Sequence, residues 1–147
     1  MTIAFASDHG GYEMKQNLIA RLEKEGHTCR DFGTDSLESC DYPDFCAPAA
    51  RAVASGECER GIVICTTGIG VSIACNMVKG IRCAHCADDC EAELTRRHNN
   101  ANMVAIGAGF TGPMMADRIV DIFLNTPFDG GRHQRRVDKV MALENEG

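Results

Sequence analysis

At 147 residues, 44% of them apolar and 24% charged, the chain has the makeup of one globular domain that buries roughly two thirds of its unfolded surface, and its apolar runs fall short of the ~20 residues that cross a bilayer. The formal charge of -6 argues against broad affinity for nucleic acid or an anionic membrane, and the one basic cluster, Arg132, His133, Arg135 and Arg136, suits a small anionic ligand. Nine cysteines without a secretory apolar region at the N-terminus point to reduced thiols and a cytoplasmic protein.

Ile3-Ala4-Phe5-Ala6 reads as a first strand. The spacing of Met14, Leu18, Ile19 and Leu22 predicts an amphipathic helix from Tyr12 to Leu22, ended by Gly26. A weaker second strand is expected over about 27–32, then a polar loop to Tyr42-Pro43 and an alanine-rich helix through about Ala54. Gly61 to Cys65 forms the third strand and Gly70 to Val78 its helix. A fourth strand is expected over Ile81 to Cys86, with a helix from Asp88 to Arg97 behind it. Met103-Val104-Ala105-Ile106 reads as the fifth strand, and its helix carries Met114, Met115, Ile119, Ile122, Phe123 and Leu124. A polar, basic helix follows Gly130-Gly131. This alternation predicts an α/β fold: a single three-layer αβα Rossmann-like domain over residues 1–147, with a five-stranded parallel sheet and a C-terminal helix.

In such sheets ligands collect beyond the carboxyl ends of the strands. Three polar clusters are expected there: Ser7-Asp8-His9-Gly10-Gly11, Asp41-Tyr42-Pro43-Asp44, and Cys65-Thr66-Thr67-Gly68-Ile69-Gly70. The third is the most informative. A thiol ends an apolar strand and a glycine-bearing turn opens into a helix, so backbone N–H groups beside the sulfur can hold an anion. A fourth cluster, Arg97-His98-Asn99-Asn100-Ala101-Asn102, precedes the fifth strand and is therefore expected toward the opposite end of the sheet. It would join the site from a second copy of the chain, and a homodimer with active sites at its interface is the expected assembly. Arg132 and Arg136, four apart on a helix, share a face and can address one anion.

The spacing Cys83-x2-Cys86-x3-Cys90 around His85 has the outline of a metal or iron–sulfur site. Alternate residues of a strand face opposite ways, however, and small buried thiols commonly fill cores. Packing is the better reading, and no metal site is expected.

Taken in order, Ser7-Asp8-His9-Gly10-Gly11, Asp41-Tyr42-Pro43, Cys65 with Thr67-Gly68-Ile69-Gly70, Arg97-His98-Asn99, and Gly130-Gly131-Arg132-His133-Gln134 with Arg136 resemble the type B ribose-5-phosphate isomerase family. The family includes relatives acting on allose and galactose 6-phosphates, and the likeness covers nearly the whole chain. It implies a cofactor-free aldose–ketose isomerase of pentose phosphate metabolism that moves a proton between C1 and C2 through an enediolate. By the same resemblance Cys65 is the base at C2, Thr67 adds a hydroxyl to Cys65 or to the sugar, and the backbone of Thr66, Gly68, Ile69 and Gly70 forms the anion hole. His98 opens the sugar ring, Asp8 and Tyr42 hold sugar hydroxyls, Asn99 meets the reacting end, and His9, Arg132 and Arg136 take the phosphate. A sugar phosphate is the implied partner, with a homodimer or a tetramer as the assembly.

Three positions set this chain within or apart from that pattern. Many relatives have glycine in place of Thr66, and relatives often carry a phosphate-binding arginine in place of Gly109. One branch places a glutamate base where this chain has Val71, so Cys65 assigns the chain to the thiol branch. Ribose 5-phosphate is the leading substrate. A tetrose 4-phosphate, allose 6-phosphate or galactose 6-phosphate isomerase, and a non-catalytic sugar-phosphate-binding protein, are the alternatives.

Overall fold

In the computed structural model, which describes residues 1–146, strands and helices alternate along the chain. The elements are β1 (Thr2–Ser7), α1 (Tyr12–Lys24), β2 (Thr28–Asp31), α2 (Pro43–Ala54), β3 (Arg60–Cys65) and α3 (Ile69–Asn76). They continue with β4 (Cys83–His85), α4 (Asp89–Asn99), β5 (Met103–Gly107), α5 (Pro113–Asn125) and α6 (Arg132–Ala142). The strands form one parallel sheet in the order β2-β1-β3-β5-β4. Among the described residues no helix is long and apolar enough to cross a membrane.

The period-2 alternation of the strands sorts their side chains onto two faces. Ala4, Ala6, Val63, Cys65, Met103 and Ala105 pack with Cys46, Ala49, Ala50 and Val53 of α2 and with Val71 and Cys75 of α3. Ile3, Phe5, Ile62, Ile64, Val104 and Ile106 pack on the other face with Leu18 and Leu22 of α1, Ala92 of α4, and Ile119 and Phe123 of α5. One face is therefore built from small side chains and the other from large ones. Within α1, Lys15 is fully buried; its Nζ pairs with Asp31 Oδ1 at 2.6 Å and donates to Thr34 O at 2.5 Å.

Several boundaries differ from the sequence expectation, each for a tertiary reason. The fourth strand spans Cys83–His85 rather than Ile81 to Cys86, because Arg82 N–H donates to the Asn102 side chain (2.8 Å) instead of joining the ladder. The third helix runs Ile69–Asn76 rather than Gly70 to Val78. At its end the Asn76 side chain accepts from Cys83 N–H (2.8 Å) and donates to Cys83 O (2.9 Å), which turns the chain into β4. The first helix continues two residues beyond Leu22, and the fourth continues past Arg97 to Asn99, where Asn100 (φ 47°) caps it in the left-handed conformation. His98 and Asn99 thus belong to the last turn of a helix rather than to a loop.

Candidate active site

From β3 the chain moves to one side of β1, whereas β2 flanks β1 on the other, so the strand order reverses between β1 and β3. A reversal of this kind opens a crevice at the carboxyl ends of the two strands. The turn after β1 supplies Asp8, 8% exposed, whose Oδ1 accepts from the N–H groups of Gly10 (2.9 Å) and Gly11 (3.3 Å). His9 follows, and its Nδ1 accepts from Cys40 N–H at 3.3 Å, tying the loop before α2 to the turn.

Across the crevice, Cys65 ends β3 with its side chain on the α2–α3 face. The Gly68 N–H donates to its Sγ at 3.1 Å, an arrangement that favours negative charge on sulfur. Thr67 Oγ1 lies 3.9 Å from the same sulfur and accepts from Ile69 N–H at 3.1 Å. The turn closes this tightly because position 68 is glycine: its φ is +78°, and a Cβ there would lie 2.8 Å from Gly107 N. The backbone bond from Ser72 N–H to Gly68 O (3.3 Å) marks the start of α3, so the N–H groups of its first turn lack helical partners. With Ile69 N–H already taken by Thr67 Oγ1, the other N–H groups of this turn can receive an anion beside the thiol. Tyr42 stands immediately before α2, and its hydroxyl lies against Gly70, 2.6 Å from where a Cβ would project.

Thr66 joins three turns at this end of the sheet. Its hydroxyl occupies the space over Gly10, its methyl group stands 3.0 Å from where a Cβ on Gly109 would fall, and its carbonyl accepts from Gly109 N–H at 2.8 Å. Thr66 and Gly109, far apart in the sequence, are therefore in direct contact.

His98 and Asn99 sit elsewhere. The turn after α4 is fixed at the amino end of β3, where Gly61 N–H donates to Asn102 O at 3.0 Å. The four steps from Gly61 to Cys65 span ~13 Å of strand. At this far end His98, Asn99, His133 and Arg136 line a cavity of about 880 Å³ between α4, β4 and α6. Arg132 opens α6, one turn before Arg136. Among the described residues neither arginine has a carboxylate partner, whereas Arg97 is paired with Asp129 at 3.2 Å. Desolvation, then the neighbouring His98, Arg132 and Arg136, hold the His133 imidazole below the ordinary imidazole range, against the opposite pull of Asp129.

The structure thus gathers Asp8, His9, Tyr42, Cys65, Thr66, Thr67, Gly68, Ile69 and Gly70 at one end of the sheet, and His98, Asn99, Arg132 and Arg136 at the other. Sequence reasoning did not find three contacts. Cys40 approaches His9, Thr66 bridges Gly10 and Gly109, and His133 stacks on His98 with ring centroids 4.3 Å apart and planes 9° from parallel. His133 stood in the basic cluster, but only the packing of α6 on α4 reveals its neighbour.

Potential ligand atoms of His98, Asp129 and His133 lie within 4.8 Å of one another. Imidazole binds a metal in its own ring plane, and two stacked planes share no such point; Asp129 is also engaged by Arg97. The Cys83, Cys86 and Cys90 thiols are dispersed, Cys83 packing in the α2–α3 core, Cys86 in the opposite core, and Cys90 in solvent.

Residues 3–140 match the Ribose/Galactose Isomerase family. The chain is 44% identical to ribose-5-phosphate isomerase B of Escherichia coli K12 over 142 residues, covering 97% of this chain and 95% of that protein. It is 35% identical to a D-erythrulose-4-phosphate isomerase of Pectobacterium atrosepticum, covering 99% and 97% of the two chains. Among solved structures, ribose-5-phosphate isomerase B of Clostridium thermocellum superposes with a TM-score of 0.98 at 49% identity, over 99% of each chain.

Proposed function

Because the chain belongs to the ribose/galactose isomerase family, we propose that it interconverts ribose 5-phosphate and ribulose 5-phosphate by a proton shift through an enediolate. The observation that carries the chemistry is the Gly68 N–H aimed at Cys65 Sγ at the start of α3, whose first-turn amides have no helical partners. Cys65 takes the proton from C2 and returns it at C1. The amides from Thr66 to Gly70 receive the oxygen on which charge develops, and donors already in place need no reorganisation as it appears. Thr67 keeps its hydroxyl beside both sulfur and substrate. Asp8 uses Oδ1 for its own turn, which leaves Oδ2 for a sugar hydroxyl, and the Tyr42 phenol reaches the same mouth.

His98 opens the ring by moving a proton at the ring oxygen, Asn99 steadies the reacting end, and His9, Arg132 and Arg136 hold the phosphate. We assign His98, Asn99, Arg132 and Arg136 of each site to a second copy of the chain. Two observations support this: ~13 Å of strand separates the clusters, and α3 leaves Ile69, Ile73 and Met77 exposed as one stripe running away from the anion seat. A copy packed on that stripe brings its own residues to the mouth of the turn.

A second substrate reading is favoured by the likeness to the erythrulose-4-phosphate enzyme, which makes a tetrose phosphate the first alternative to test. Purified protein, without added metal, is assayed on ribose 5-phosphate and on four- and six-carbon aldose phosphates, following ketose formation and solvent-proton exchange. Ribose 5-phosphate is expected to give the highest kcat/KM. Cys65→Ala is expected to lower kcat by at least ~10²-fold with KM changed only a few-fold. Near-normal turnover by that variant removes the thiol from the mechanism, and preference for a tetrose phosphate replaces the substrate.

A further inference from the structure

We infer that His133 is a positioning residue for ring opening: its imidazole, stacked flat on that of His98, holds the ring-opening side chain in a single orientation toward the substrate. The inference rests on the ring-opening role proposed for His98. The two rings lie 4.3 Å apart and within 9° of parallel. They come from different elements, His98 from the last turn of α4 and His133 from the first turn of α6.

Among the described residues neither ring makes a hydrogen bond to the protein, so His98 has no carboxylate or carbonyl to fix its rotamer in the way that orienting partners usually fix an acid–base imidazole. The aromatic face of His133 is what remains to do so. An aromatic pair also has a preferred geometry, which restricts rotation about the terminal side-chain torsion that would otherwise be broad. The surroundings disfavour a charge on the stacking partner: desolvation, then His98, Arg132 and Arg136, lower the His133 pKa against the opposite pull of Asp129. The arrangement divides the labour within α6: the arginines address the phosphate and the histidine between them orients the acid–base group of the neighbouring helix.

The test separates ring opening from the proton shift. Ribose 5-phosphate is mostly cyclic and must be opened. Ribulose 5-phosphate has its C5 oxygen phosphorylated, cannot close to a furanose, and exchanges its C1 proton with solvent through the enediolate alone. Wild type, His98→Ala, His133→Ala, His133→Gln and His133→Phe are compared in both assays, with thermal denaturation of each confirming a folded protein. Loss of stacking in His133→Ala and His133→Gln is expected to slow ribose 5-phosphate consumption roughly three- to tenfold, with C1 exchange of ribulose 5-phosphate kept within about twofold of wild type. His133→Phe, which retains a ring but no polar atom, is expected to restore most of the lost rate.

Equal losses in the two assays, or a Gln variant that works where the Phe variant fails, would assign His133 a polar or binding role and overturn the inference. His98→Ala is the control for the underlying reading. If it fails to separate the two assays, ring opening by His98 falls and the role of His133 falls with it. If it separates them and His133→Ala does not, only the positioning inference is lost.

Discussion

A Cβ on Gly10 would run into the hydroxyl of Thr66, with Asp8 Oδ1 and Thr66 N both 3.3 Å away, although the backbone at Gly10 has no positive φ. The glycine there answers to a neighbour rather than to its own conformation. Gly10→Ala is accordingly expected to destabilise the protein by about 1–3 kcal/mol while Thr66 is present, and by less than about 1 kcal/mol in a Thr66→Gly background. Urea unfolding of the four proteins of the cycle measures the difference, and strictly additive losses would free Thr66 from any part in setting the spacing of the turns. The sequence marked Thr66 and Gly109 as two separate departures from the family pattern. Their contact turns them into one, because the space a side chain at 109 would take is the space the Thr66 methyl fills. No periodicity or spacing carries information of that kind.

At the scale of elements, Lys15 lies in the first turns of α1, three residues before Leu18 and seven before Leu22, so it shares their inward face, and its charged side chain is wholly buried there. It crosses beneath the chain to Asp31 and Thr34 and so anchors the start of the long connection that carries Cys40 and Tyr42 to the crevice. Removing one partner of a buried pair leaves the other uncompensated. Asp31 keeps a third of its side chain in water, which lessens the loss. Lys15→Ala is expected to cost about 3 kcal/mol in thermal or chemical denaturation, part of it recovered by Lys15→Met, whose stem refills the space; a loss below about 1 kcal/mol would make the pair incidental. The order and type of the elements were legible because apolar period 2 and period 3.6 alternate clearly along this chain. The ends of α3, β4 and α4 were not, since Asn76, Asn102 and Asn100 set them through bonds to other elements or through a left-handed cap. That difference decides the placement of His98, which belongs to a helix end.

Across the whole molecule the cysteines acquire an explanation that composition could not provide. Cys46, Cys58, Cys65, Cys75 and Cys83 occupy the face of the sheet built from small side chains, where alanine and cysteine let α2 and α3 approach the strands closely. Contact with Cys75 and then burial raise the Cys46 thiol; against the opposite pull of Cys46, contact with Cys83 and burial raise Cys75; burial pushes Cys86 up to about 12, and burial with Glu23 brings Cys29 to about 11. A thiol whose pKa lies above the ambient pH stays protonated and reacts slowly. Alkylation of the native protein at pH 8, followed by mass spectrometry, is expected to modify exposed Cys90 first and half-exposed Cys40 next. Cys29 should lag, and Cys46, Cys75 and Cys86 should react only after denaturation. Early labelling of Cys46 or Cys75 would contradict the packing described for that face. The other feature of molecular scale is the length of β3 between the Cys65 cluster and the His98 cluster, and its consequence is hereditary. Under the proposed assembly, in which each site is drawn from two chains, a gene copy damaged at Cys65 and another damaged at His98 are expected to encode products that repair one another on co-expression, since a mixed pair retains one site with both halves whole. Two alleles with lesions in the same cluster never complement.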